Sequence, residues 1–158
     1  MRPPAVLLLP LLLAAPSALA ADTSNGSALA LAALVGERSP GLDAQEKDAL
    51  THMLDGNLDF AFPADKKITV KADSVVCRAG NVDISLHSCE LAFGGRKFTR
   101  TGRAAHELYA TLLEAGVQSE GAAGTIYAGL SKLVCTVDPN TVKGTAGGGA
   151  DCTFSPAP

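Results

Sequence analysis

The stretch KITVKADSVVCRAGNVDISLHSCELAF, residues 67–93, decides the fold. Ile68 and Val70 alternate with Lys67, Thr69 and Lys71, the period-two pattern of a strand with one covered face. Val75, Val76 and Cys77 prolong the β-prone run. Val82, Ile84 and Leu86 alternate with Asp83 and Ser85, which predicts a further strand. Cys89, Leu91 and Phe93 then fall on odd positions. A slip of one residue moves every side chain to the other face, so a bulge or loop is expected near His87-Ser88. Gly94-Gly95 reads as a tight hairpin turn into Arg96–Arg100.

The patterns on either side complete an α+β domain. Downstream, Ala105, Leu108, Tyr109, Leu112 and Leu113 form one apolar helical stripe, with Thr101 as its cap and Gly116 at its end. Residues 119–124 are Gly/Ala-rich and ambiguous. A strand is expected over 131–137, a chain turn at Pro139-Asn140, a connector at Gly147–Gly149 and a short last strand at Asp151–Phe154. Upstream, Leu58, Phe60 and Phe62 alternate with Asn57, Asp59 and Ala61 until Pro63, again as a strand would. Before that, Ala28–Val35 is an Ala/Leu run with no polar face, and Ser39-Pro40 breaks it. Asp43 with Glu46 three residues on has the capping-box arrangement. Ala49, Leu50, Met53 and Leu54 follow at helical spacing, and Gly56 ends the helix. The expected fold is α+β: an N-terminal helical hairpin over 28–55, a mainly antiparallel sheet, one long central helix and two disulfides.

Residues 1–20 read as a secretory signal peptide. Arg2 supplies the positive start, Ala5–Ala15 the apolar run, and Ala18-Leu19-Ala20 the small-x-small cleavage pattern. The run is too short for a bilayer, which takes about 20 residues, and no later segment is long and apolar enough to span one. Residues 21–27 are small and polar, as in a flexible mature terminus. Residues 28–158 then form a single domain. Cleavage near Ala20 moves the net charge from −3 to −4, and nothing basic enough for nucleic acid is left. Aromatics are few, five Phe, two Tyr and no Trp, which argues against a stacking site for sugars or an aromatic cage.

Four cysteines, Cys77, Cys89, Cys135 and Cys152, lie behind the leader. Exported thiols are usually oxidised, and four allow three pairings. Neighbour pairing, Cys77 with Cys89 and Cys135 with Cys152, is expected because each pair flanks a turn-rich segment. There is no C-x-x-C and no zinc-type spacing. His87 and Glu90 beside Cys89 are the nearest thing to a ligand cluster, and an oxidised sulfur is a poor ligand. No metal and no cofactor are expected.

Other chemistry is sparse. His106-Glu107 lacks the second histidine of a zinc-protease motif. His52 sits near a helix C-terminus, where a cation is favourable. Ser85, Ser88 and Ser131 lack the Gly-x-Ser-x-Gly context. Asp55-Gly56-Asn57-Leu58-Asp59 starts like a calcium loop, but Phe60 replaces the turn glycine and Lys66 the final glutamate. The Gly147–Gly149 run lacks the Lys of a phosphate loop. Arg96, Lys97, Arg100 and Arg103 make a local basic segment, either a dock for an acidic group or protection of a sheet edge.

A helical hairpin ahead of a stapled antiparallel sheet is similar in architecture to small exported inhibitors of the β-lactamase-inhibitory type, with no motif shared residue by residue. The expected function is a small exported, non-enzymatic module, periplasmic or secreted. It would bind another exported or envelope protein as an inhibitor or envelope accessory. One alternative is a periplasmic small-molecule or ion-binding protein. Another is a small secreted hydrolase using His87 or His106 with a nearby carboxylate.

Overall fold

The computed structural model describes residues 21–22, 25–80, 83–122, 125–144 and 148–157; the expected signal peptide lies outside them. The elements in chain order are β1 (Ala21–Asp22), α1 (Asn25–Gly36), α2 (Ala44–Leu54), β2 (Ile68–Gly80), a 3-10 turn (Ile84–Leu86), β3 (Ser88–Phe93), β4 (Arg96–Thr101), α3 (Gly102–Glu114), β5 (Ser119–Ala122), β6 (Thr125–Val137), α4 (Pro139–Gly144) and β7 (Ala150–Pro156). Seven strands form one antiparallel sheet in the order β1-β7-β6-β2-β3-β4, with β5 also on β6. The fold is α+β, as expected. No described helix is long and apolar enough to cross a membrane.

The Ala/Leu run without a polar face becomes the central helix of the packing. Ala28, Leu31, Ala32 and Val35 are fully buried, and α1 touches α2, α3, β2, β6 and β7. A helix apolar all round belongs inside. Gly36 permits a close approach: a Cβ there would come within 2.8 Å of Leu50 Cδ1 and 3.3 Å of Val70 Cγ2. The helix starts at Asn25, inside the segment 21–27 expected as a flexible terminus, and Ala21–Asp22 pair with β7.

The predicted capping box is formed in α2. The Glu46 N–H donates to Asp43 Oδ1 at 2.8 Å, and the Asp43 N–H donates to Glu46 Oε2 at 2.9 Å. In α3 the C-terminal signal is realised: Gly116 has φ +87°, its N–H donates to Leu113 O, and Val117 N–H donates to Leu112 O. That is the double bond pattern of a glycine-terminated helix. Two details of α3 differ from expectation. The Thr101 side chain makes no capping bond, and Leu113 is exposed, outside the buried stripe.

Both disulfides form as expected, Cys77–Cys89 and Cys135–Cys152. Each joins residues directly opposite in register, across β2–β3 and β6–β7 respectively. All four cysteines are buried among the core side chains.

Three alternating stretches come out otherwise. Residues 57–62 form no strand. The Asp59 N–H donates to Asn57 Oδ1, which turns the chain locally, and Phe60 stacks on His52 with Lys143 over its ring. Its alternation reflects inward Phe60 and Phe62 without a sheet edge to join. Ile84–Leu86 is a 3-10 turn, not a strand, because Asp83 Oδ1 accepts from Ser85 N–H and starts it. With His87, which follows it, the turn makes the loop expected near His87-Ser88, and β3 starts at Ser88. The strand expected over 131–137 begins earlier, at Thr125, and Pro139-Asn140 opens the short helix α4 instead of a simple turn.

The two long strands change face together. On β2 the buried set shifts from Ile68, Val70 and Ala72 to Val75, Cys77 and Ala79. On β6 it shifts from Val137, Cys135 and Leu133 to Leu130 and Ala128. The switch centres on Lys132, whose φ is +53°, and on a register shift against β7 between Ser131 and Val134. Bulges of this kind bend a strand and let a long one keep a buried side.

Candidate functional site

The helices cover one face of the sheet, and the opposite face is left open by every described element. It presents Thr69, Lys71, Asp73 and Arg78 from β2 and Tyr127 and Val134 from β6, all exposed. At its centre is a break in pairing. β5 accompanies β6 as far as Ala128, opposite Ser119, and β7 takes over at Leu130, opposite Pro156. Gly129 lies between the two, and its carbonyl accepts from Ala157 N–H at 3.1 Å.

This seam opens a cleft of about 480 Å³ whose walls include Val76, Val117, Tyr127 and Phe154. Gly129 keeps it open, since a Cβ there would meet Ala157 Cβ at 2.9 Å. Arg78 and Glu120 are its charged members. Arg78 lies directly opposite Tyr127 in register, with its guanidinium 5.6 Å from the ring centroid, a cation–π arrangement. The chemistry on offer is an apolar slot with a cation, a carboxylate and an aromatic ring among its lining residues.

The basic segment does not stay together. Arg96 is exposed and lines a shallow groove with Lys71, Asp73 and the Ser39–Gly41 loop. Lys97 lies on the open face, 2.9 Å from Glu90. Arg103 is exposed on α3 and pairs with Glu107 at 3.2 Å. Arg100 points the other way, into the helix layer, and its side chain is 5% exposed. It donates to Leu34 O at 2.8 Å and to Glu37 Oε2 at 2.5 Å, while Nε has no acceptor among the described residues. The neighbouring carbonyls Ala33 O, Val35 O and Gly36 O receive backbone N–H groups. Leu34 O receives the guanidinium instead, so Arg100 closes the C-terminus of α1 from the sheet.

The ligand cluster imagined around Cys89 does not form: its sulfur is in the disulfide, and Glu90 turns to Lys97. His52 is 3.5 Å from Asp48 and stacks on Phe60. His87 and His106, nineteen residues apart, meet side by side. Neither hydrogen-bonds a carboxylate among the described residues, and Ser85, Ser88 and Ser131 do not reach them. The Ser85 hydroxyl and N–H donated to Asp83 hold that carboxyl below the usual range. Asp55 and Gly56 form a helix end, with Asn57 N–H donating to His52 O at 2.9 Å. No calcium loop is built there.

Arg78 and Tyr127 were not singled out in the sequence. Their partnership depends on the β2–β6 register, and a tyrosine in an aromatic-poor chain was the one available signal. Comparison with protein-family models, curated proteins and solved structures finds nothing that matches this chain.

Proposed function

We propose that this chain is an exported, disulfide-stapled module that binds another exported or envelope protein through the open sheet face, as an inhibitor or envelope accessory. The observation that carries this reading is the cleft at Gly129, lined in part by the exposed Tyr127 and Arg78. Tyrosine and arginine beside an apolar pocket are the residue types that dominate protein interfaces. The chemistry suits a partner loop that presents an apolar side chain to the slot and a carboxylate to Arg78. Export is supported by the leader pattern in residues 1–20 and by two disulfides, which persist in oxidising compartments.

The test is capture from envelope extract with the wild-type chain, Tyr127→Ser and Arg78→Ala as parallel baits. A partner held by the wild type and lost by both variants, at unchanged thermal unfolding, supports the reading. Equal capture by all three overturns it. The cleft volume also falls within the range of about 300–1,000 Å³ typical of small-molecule sites, which favours ligand binding as the second reading. Native mass spectrometry decides between them: a bound non-protein mass that Tyr127→Ser abolishes would reassign the cleft to a small molecule.

A further inference from the structure

The pair His87–His106 is independent of the cleft and is unused by the proposed function. His87 follows the 3-10 turn and is buried; His106 lies in the first turns of α3 and is half-buried, so the pair is reached from its side. The two Nδ1 atoms are 3.2 Å apart, and the ring centroids are 4.9 Å apart at 58°. His87 Nε2 lies 3.3 Å from Gly80 O. A carbonyl only accepts, so Nε2 carries the proton, and in the neutral ring Nδ1 is the nitrogen with the lone pair. A backbone carbonyl orienting the far nitrogen of an imidazole is the usual support for a metal-binding histidine.

Two distances agree on the same geometry. Metal–nitrogen bonds of about 2.05 Å place nitrogens 3.2 Å apart at an angle of about 103°. The same bond length puts the metal about 3.2 Å from each ring centroid, so the 4.9 Å centroid separation gives about 100°. An in-line N–H···N hydrogen bond would instead hold the centroids about 5.5 Å apart.

We propose that His87 and His106 form a two-histidine site, through both Nδ1 atoms, for a first-row transition-metal dication. Cu²⁺ binds most tightly, ahead of Zn²⁺, as imidazole donors order these ions. Among the described residues no third His, Cys, Asp or Glu completes the set, so water fills the remaining positions and the site stays open to an external ligand. The metal-free contact is a bent hydrogen bond from His106 Nδ1–H to His87 Nδ1, off the axis of an in-line one. On binding, His106 keeps one proton on Nε2 and leaves Nδ1 free. Tyr109 stands edge-on to the His87 ring at 6.0 Å, and Glu107 is engaged by Arg103. The frame is fixed in advance: Cys77–Cys89 ties β2 to β3, and Gly102 N–H donates to His87 O at 3.0 Å, anchoring the start of α3.

The experiment titrates Cu²⁺ and, separately, Zn²⁺ into the disulfide-intact chain by calorimetry, with electron paramagnetic resonance on the copper form. The expected result is one equivalent of Cu²⁺ with nitrogen hyperfine structure from two imidazoles. His106→Gln should weaken binding by about tenfold or more. His52→Gln, a histidine outside the pair, should leave it unchanged. His87→Gln is read alongside, with circular dichroism, because its buried ring contributes to folding. Absence of saturable binding overturns the proposal, as does Cu²⁺ affinity unaltered by His106→Gln in a variant that keeps the wild-type unfolding temperature.

Discussion

Arg100 and Glu37 offer a sharp test of how α1 is held. The guanidinium is buried and serves two acceptors, Leu34 O at 2.8 Å and Glu37 Oε2 at 2.5 Å. The Glu37 side chain is 54% exposed, so the ion pair is half-solvated and weaker than a fully buried one. Truncating Arg100 to Ala leaves Leu34 O without its donor, worth about 1–3 kcal/mol for a buried group. It also removes the packed stem of the side chain. Against this, it relieves the cost of burying the cation and its unpaired Nε. The expected net loss is about 2–3 kcal/mol. Glu37→Ala leaves the guanidinium on Leu34 O, and water replaces the carboxylate at its exposed side; that should cost about 1 kcal/mol. The double variant should show a coupling of about 1 kcal/mol, falling when salt is raised. Urea unfolding of the disulfide-intact protein measures all four corners, provided the slope m stays constant. An Arg100→Ala cost below about 0.5 kcal/mol, the level of an ordinary surface change, would refute the capping role.

Two further outcomes follow from the same structure. Replacing Cys135 and Cys152 together by Ala should lower stability by about 3 kcal/mol, because the bridge spans 17 residues and its loss restores that loop's freedom to the unfolded chain; thermal unfolding should drop by about 10 °C, and no change would mean that the bridge acts without constraining the unfolded state. For pH, the Glu46 N–H and then the Lys66 ammonium hold the Asp43 carboxyl below its ordinary 3.8. A depressed carboxyl contributes stability that is present above about pH 4 and is lost as pH falls through the lower folded value. Lys66, raised above 10.5 by Glu46 and Asp43, contributes below that value and loses its share as pH rises past it. Asp43→Asn should therefore flatten the acid limb of unfolding temperature against pH below pH 4, and an unaltered acid limb would contradict the assignment.

Arg100 also illustrates why part of the site was not legible. Arg96, Lys97, Arg100 and Arg103 look alike in sequence, and their distribution depends on strand direction and on what each face meets. Period two places Arg100 opposite in sense to Lys97, but only the docking of α1 against β4 turns it into a helix cap. His87 and His106 were visible as separate histidines; their meeting required the hairpin β3–β4 to return the chain to α3.

What the sequence alone determined is local or is carried by period. The α2 capping box, the Gly94-Gly95 turn with φ of +54° and +82°, the glycine end of α3 and the inward role of the all-apolar α1 are each written in a few neighbouring residues, because each is set by backbone sterics or by amphipathicity. The neighbour pairing of cysteines belongs there too, since turn-rich loops bring their ends together. Tertiary structure decided the rest. An alternating stretch becomes a strand only where an edge is available to pair with it, so Ile68–Gly80 did and Leu58–Phe62 did not. The seam at Gly129, the Arg78–Tyr127 pair and the histidine pair exist only once register and packing have joined distant segments, and no local pattern encodes those distances.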